Sequence, residues 1–225
     1  MEVIRTEKLE KIYGDNGVPV KAVDGVDLTI KKGEFLVIAG PSGSGKTTLL
    51  NMIGALDQPT SGKVYLEGED LSRKSRSQLA NLRLRKLGFV FQAYNLIPVL
   101  NALENIEFTM MLIGISEKER EDRAMKVMEE LGINELAYKR PNEMSGGQQQ
   151  RVAVARAIVN NPSIVLADEP TANLDSKTGE SLLDLMEQMN KEKDITFVFS
   201  SHDPQVINRA KRLLKLQDGR IKIDG

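Results

Sequence analysis

Three short segments of this chain bring together residue types that handle phosphate. Gly40-Pro41-Ser42-Gly43-Ser44-Gly45-Lys46-Thr47 fits the pattern Gly-x4-Gly-Lys-Ser/Thr, and Thr48 follows it. Glycines at this spacing let backbone amides turn inward around phosphate oxygens at a helix N-terminus. Lys46 then reaches the outer phosphates, and the Thr47 hydroxyl is a ligand for magnesium. The second segment, Ile164-Val165-Leu166-Ala167-Asp168-Glu169, is an apolar run ending in two carboxylates. Alone it is an ordinary strand meeting solvent. Beside a phosphate loop, Asp168 can hold the metal through water, and Glu169 can serve as general base for an attacking water.

The third segment is Met144-Ser145-Gly146-Gly147-Gln148. Ser145 and Gln148 have the spacing of a capping box for a helix running to about Asn160. The two glycines leave that helix's first amides uncovered, which makes an anion site. The plainer alternative is a helix start with a flexible entry. A chain with one phosphate loop has no evident need of a second cradle, unless the second serves a neighbouring subunit.

These segments need a scaffold, and the apolar runs supply one. Phe35–Ala39, Leu87–Phe91, Ile164–Ala167 and Thr196–Ser200 are short and rich in β-branched or aromatic residues, as buried parallel strands are. Helical patterns lie between them, including Thr47–Leu56, so the fold class expected is α/β with a mostly parallel sheet. Alternating runs at Val26–Ile30 and Lys63–Glu67 predict an additional antiparallel sheet near the N-terminus. Asp218-Gly219 between Leu213–Leu216 and Ile221–Ile223 predicts a terminal hairpin. Residues 93–150 carry helical patterns without a convincing strand, with a capping box expected at Ser116–Glu119 and a helix stop at Gly132. The expected organisation is a single domain over 1–225, in which a helical subdomain (93–150) is inserted into a core of 1–92 and 151–225.

Composition narrows the function. The 225 residues are 40% hydrophobic, which is enough for a continuous core, and 31 lysines and arginines balance 32 acidic residues. Binding through nucleic-acid phosphates usually requires a basic excess, so no nucleic acid is expected as a partner. With no cysteine, disulfides and thiolate chemistry are excluded. The N-terminus lacks the apolar core of a signal peptide. The longest apolar stretch, near Met110–Ile115, is far short of the roughly 18–20 residues that span a bilayer. Any membrane role is then expected to run through a partner.

The run Met144–Gln150, upstream of Asp168-Glu169, resembles the signature motif of ABC-type ATPases, and the resemblance covers essentially the whole chain. It implies a P-loop NTPase core with an N-terminal antiparallel β subdomain and an inserted helical subdomain. It also implies a role for each further motif. Tyr13 resembles the aromatic residue that stacks on adenine. Gln92 resembles the glutamine that senses metal and attacking water, so that Thr47, Gln92 and Asp168 form the metal set. Ala172-Asn173-Leu174-Asp175 resembles the loop that crosses the dimer interface. His202, the sole histidine, resembles the switch residue at the γ-phosphate. Two positions depart from the usual wording: Met144 stands for leucine, and Asn173 for a small residue.

In such proteins two subunits sandwich two ATP molecules, each between the Lys46 loop of one and the Ser145–Gln148 helix start of the other. The resemblance therefore implies ATP and Mg2+ as ligands, a second copy as partner and ATP hydrolysis as the reaction. Gln92–Asn105 and Gly147–Ala153 are closely similar to the lipoprotein-release and macrolide-exporter group. That implies a separate few-span membrane permease and a peripheral location on the cytoplasmic face of the membrane. Leu96, Ile97, Val99 and Leu100 would help form the permease dock or, alternatively, subdomain core. Arg73, Lys74, Arg76, Arg83, Arg85 and Lys86 form a run without acidic residues. It reads as a solvated helix face, with contact to anionic headgroups or to an acidic permease loop as the alternative. A soluble ABC-type ATPase acting on DNA or ribosomes is the competing class. Its usual second ATPase unit, coiled coils and zinc modules are not found in this sequence.

Overall fold

The computed structural model describes residues 1–14 and 18–225. Its central sheet has six strands: β3 (Phe35–Ala39), β6 (Leu87–Phe91), β7 (Ile164–Asp168), β8 (Phe197–Ser201), β9 (Arg212–Gln217) and β10 (Arg220–Asp224). Their order is β10-β9-β3-β8-β7-β6, with all neighbours parallel except the β9–β10 edge hairpin. Every residue of β3 and β8 is buried because both faces of the sheet are covered, which explains the continuous apolar run of β3 and of the first three residues of β8. Asp218 and Gly219 turn the hairpin with φ of 49° and 72°, the left-handed pair that a tight right-twisted hairpin requires.

The two faces of this sheet belong to two cores. Leu36, Ile38, Leu166, Val198 and Leu214 face α1 (Lys46–Ile53) and a second, antiparallel sheet. That second sheet is formed by β1 (Glu2–Tyr13), β2 (Val20–Lys31), β4 (Ser61–Leu66) and β5 (Glu69–Asp70), in the order β2-β1-β4-β5. On the opposite face, Phe35, Val37, Val165, Ala167, Phe197 and Phe199 meet α3 (Ala102–Leu112), α4 (Glu117–Glu130), α5 (Gly146–Ile158) and α6 (Ser176–Lys193). The Phe35 ring lies 4.6 Å from Phe199 and 5.9 Å from Phe197, centroid to centroid, inside the range of favourable tilted pairs.

The expected strands sit within a residue or two of their sequence bounds, except that the run read at Val26–Ile30 begins six residues earlier, at Val20, and β1 carries no legible strand signal. Its register against β2 shifts four times, so its buried residues Val3, Ile4, Thr6 and Leu9 do not alternate regularly. The helix expected over Thr47–Leu56 stops at Ile53, where Gly54 caps it and Ala55 turns to φ 54°. Ser116 does cap α4, but its side chain makes no capping bond; the Glu119 that would complete the box pairs with Arg123 instead. Capping boxes do form at Ser75/Gln78, before α2 (Arg76–Lys86), and at Asn101/Glu104, before α3. The basic run is largely paired within the chain: Arg73 with Asp70, Lys74 with Glu69, Lys86 with Glu67, and Arg83 with the Ala55 carbonyl. Among the described residues, no helix is long and apolar enough to cross a membrane.

Candidate active site

The parallel register determines which residues share the sheet's carboxyl edge. Phe91 pairs with Asp168, Asp168 with Ser200, and Ser200 with Ile38. The residues immediately beyond this line are Gln92, Glu169, Ser201 with His202, and Ala39 with Gly40. A chain leaving a parallel strand at its carboxyl end opens a crevice there, where such folds bind ligands.

The loop after β3 is shaped by glycine. Gly45 caps α1 with φ 99°, and a Cβ at this position would lie 2.1 Å from the Ala22 carbonyl oxygen. Gly43 also has positive φ, at 78°. No side chain therefore covers the start of α1, and the unpaired first amides with the positive end of the helix dipole point into the cleft. Lys46 is buried, and its Nζ donates to the carbonyls of Gly40 (2.8 Å) and Pro41 (3.0 Å) across the mouth of the loop. Ser42, Gly43, Gly45, Lys46, Thr47 and Thr48 line a cleft of about 380 Å³, and Gln92, Glu169 and His202 line the same cleft from the other strand ends.

Within the cleft, Thr47 Oγ1 donates to Asp168 Oδ1 at 3.1 Å. A hydroxyl and a carboxylate this close, at the phosphate end of the cleft, form an all-oxygen pair suited to a hard cation that takes its other ligands from phosphate and water. No cluster of three metal-binding side chains occurs among the described residues, so this pair fits an ion shared with a substrate rather than a protein-caged one.

Glu169 leaves β7 in the left-handed region, with φ 46°. This turn directs its carboxylate away from Asp168 and toward β8. Oε2 accepts a hydrogen bond from Ser201 Oγ at 2.9 Å, and Oε1 lies 2.7 Å from His202 Nδ1. With the carboxylate as acceptor, Nδ1 carries the ring hydrogen and Nε2 is uncommitted.

The structure brings the phosphate loop, Asp168, Glu169, Gln92 and His202 together. It does not place Ser145–Gln148, Asp175 or Tyr13 among the cleft-lining residues. Tyr13 stands near the first turn of α1, with its hydroxyl donating to Asp57 at 2.7 Å and Lys11 Nζ 4.9 Å from its ring centroid. Burial and this carboxylate partner both raise the phenol's pKa. Ser145 makes the expected capping box with Gln148 at the start of α5. A Cβ on Gly146 would lie 2.7 Å from the Tyr94 hydroxyl, and one on Gly147 would lie 2.3 Å from Thr178, so neither position admits a side chain. Asp175 caps α6, accepting from the Thr178 amide at 3.0 Å and from its hydroxyl.

Several supports escaped the sequence reading. Asn173 Nδ2 donates to the Gln92 carbonyl at 2.9 Å. Arg156 donates to the carbonyls of Tyr94 and Asn95, and burial lowers its pKa. Gln150 is fully buried. A polar residue at an inward position of an otherwise apolar helix face was the available signal for the last two.

A Rossmann-like edge carrying a glycine phosphate loop, paired carboxylates and a strand-end histidine defines a P-loop NTPase. The sequence model of the family described as "ABC transporter" matches residues 23–172. Among relatives, the lipoprotein-releasing system ATP-binding protein LolD 1 of Chlorobium chlorochromatii is 42% identical, over 96% of this chain and 90% of its own. The macrolide export ATP-binding/permease protein MacB of Hyphomonas neptunium is 43% identical, over 99% of this chain but 34% of its own. The cassette MJ0796 of Methanocaldococcus jannaschii has been solved as a dimer, with TM-score 0.91 and 43% identity over 99% of this chain and 97% of that one. It has also been solved as a dimer in a post-hydrolysis state bound to ADP and Pi. The chain belongs to the ABC transporter family, as an ATP-binding and ATP-hydrolysing cassette.

The loop geometry generates a direct expectation. Gly45→Ala forces a Cβ against the Ala22 carbonyl in a left-handed backbone, so it should weaken ATP binding by at least about tenfold, a strain of roughly 1–3 kcal/mol. Titration with a fluorescent ATP analogue measures this, with circular dichroism confirming that the chain still folds.

Proposed function

We propose that this chain hydrolyses ATP in a head-to-tail homodimer and thereby drives a membrane permease. The observation that carries this reading is the separation of two phosphate cradles. The Gly40–Thr47 loop has a complete set of reacting groups around it, whereas the helix start Ser145–Gln148, with the uncapped amides of Gly146 and Gly147, lies outside that cleft. A second copy turned end for end gives each cradle the face it lacks, and the dimeric cassette at 43% identity supports that arrangement. We take residues 93–150 as the helical subdomain that carries the second cradle.

In this reading the amides of Ser42–Thr48 and Lys46 hold the β- and γ-phosphates, and Tyr13 stacks on adenine. Thr47, Gln92 and Asp168 are the side chains for Mg2+, which supplies charge neutralisation between the phosphates. Glu169 orients and deprotonates the water that attacks the γ-phosphorus, and its proton-accepting oxygens are held by Ser201 and His202. His202 contacts the γ-phosphate, and the Asp175 loop meets the partner subunit. Loss of the γ-phosphate removes the shared contact between the two cradles, so the dimer opens.

The permease dock is a groove between the sheet and the helical subdomain. Phe89 and Phe91, stacked 5.8 Å apart with an interplanar angle of 2°, line it with Leu56, Ile97, Phe108 and Leu112. Leu56 and Leu112 are about half exposed, and a groove of about 470 Å³ with this lining suits an amphipathic helix of a permease loop. Of the residues expected at the dock, Ile97 lines the groove, Val99 stands exposed on the same loop, and Leu96 packs into the core. The MacB relative names an ATP-binding and a permease function in one protein, of which this chain matches about a third. That kinship supports a peripheral position at the cytoplasmic face of the membrane. The cargo is a property of the permease.

Two expected outcomes follow. Glu169→Gln keeps ATP affinity but lowers kcat by more than about a hundredfold, and size-exclusion chromatography with ATP finds it as a dimer. Turnover at the normal rate would remove Glu169 from the role of base. Leu112→Glu leaves the ATPase of the isolated chain unchanged and abolishes co-purification with the membrane permease; retained co-purification would move the dock elsewhere.

A further inference from the structure

Gln150 is the one helix-α5 side chain that is polar, fully buried and not yet used by any step of hydrolysis. Its Nε2 donates to the Pro170 carbonyl at 2.6 Å and, more weakly, to the Phe91 carbonyl at 3.4 Å. Pro170 directly follows Glu169, and Phe91 directly precedes Gln92. Its Oε1 has no hydrogen-bond partner. Exchanging the two amide atoms would set an oxygen against two carbonyl oxygens, so the orientation is fixed by chemistry. A buried amide with an orphan acceptor is a poor device for stability, because the cost of its unmade Oε1 bond offsets much of what the bond to Pro170 contributes. Its benefit must be geometric.

The geometry it secures is that of Glu169. This residue sits at φ 46°, a backbone region that a non-glycine side chain occupies at a cost and leaves unless its surroundings hold it there. One side is held by β8, where the Glu169 amide donates to the Ser200 carbonyl at 2.9 Å. The other side, past the carboxylate, is held by Gln150. The same helix also fixes the stretch after Gln92, through Arg156 and the carbonyls of Tyr94 and Asn95.

We propose that Gln150 is a positioning residue for hydrolysis, which clamps the backbone on either side of the reacting groups so that Glu169 faces the attacking water. It touches neither nucleotide nor water. The proposal rests on the reading of Glu169 as general base. It also places the clamp on the helix whose first turn meets the partner's nucleotide, so that a shift of α5 is felt directly beside the base of its own subunit.

Gln150→Met, similar in length and apolar, tests this in the purified full-length chain. Displacing a general base by a fraction of an ångström slows the chemical step without touching the phosphate contacts. The expected result is a kcat reduced about 10- to 100-fold with KM for ATP within about twofold. The ATP-bound dimer should live longer by a similar factor, as followed by size-exclusion chromatography or light scattering. A merely structural defect moves that lifetime the other way, since a loosened α5 weakens the second cradle. Unchanged kcat, or a lowered kcat with raised KM and a shorter-lived dimer, overturns the proposal. If Gln150→Met does not fold, Gln150→Asn retracts the amide by one methylene and is judged by the same three readouts. Glu169→Gln, run alongside, separates the two claims. Normal turnover in Glu169→Gln refutes the general base itself, whereas a trapped Glu169→Gln dimer beside a normally hydrolysing Gln150→Met refutes only the clamp.

Discussion

Four parallel strands end in register, and every reacting side chain leaves from one of those ends. The ladder Phe91–Asp168–Ser200–Ile38 sets Gln92, Glu169, His202 and the phosphate loop around a single crevice, though the chain separates Gly40 from His202 by most of its length. The strands are buried on both faces, so a slip of one residue would move whole apolar sets to the wrong core. The energy that fixes the register is therefore hydrophobic, spread over Phe35, Val37, Val165, Phe197 and Phe199 on one side and Leu36, Ile38, Leu166 and Val198 on the other. The catalytic groups contribute little to that stability and can be chosen for chemistry.

Given this edge, local devices aim the individual groups. Glycines at Gly43 and Gly45 permit the left-handed turns that present amides, whereas Glu169 adopts a similar turn without glycine and needs restraint from Ser200 and Gln150. Asn173 ties the loop that leads to α6 to the Gln92 carbonyl. The position read from sequence as a departure from the usual small residue is thus an anchor within the subunit. The two catalytic loops and the helix bearing the second cradle are linked by side chain-to-backbone bonds, so a displacement of one is transmitted to the others over short, packed distances.

Much of this was legible in the residues themselves. The buried strands betrayed themselves by short continuous β-branched runs, the phosphate loop by its glycine spacing, and the hairpin by Asp218-Gly219. Strand β1 was not legible, because bulges break the period on which strand reading depends. The Ser116 box failed because a capping pattern records what a carboxylate can reach and not the nearby Arg123 that competes for it. Gln150 and Arg156 left only a trace, a polar residue on an otherwise apolar helix face, because their partners are carbonyls distant in sequence that no local pattern encodes. The dimer was legible as an unexplained surplus, a second helix start with nothing in its own chain to bind, and in what the motifs' resemblance to ABC-type ATPases implied.

That surplus is the centre of the account, and one mixing experiment addresses it. Lys46→Ala disables the phosphate loop, and Ser145→Arg fills the second cradle, so each variant alone should lack ATPase activity. In a mixed dimer built head to tail, both defects fall on one site and the other site is intact. Mixing the two inactive proteins in equal amounts should therefore restore activity, up to about a quarter of that of the unmodified chain if subunits pair at random. A mixture as inactive as its components would contradict the account, because it would mean that Ser145 serves the nucleotide of its own subunit.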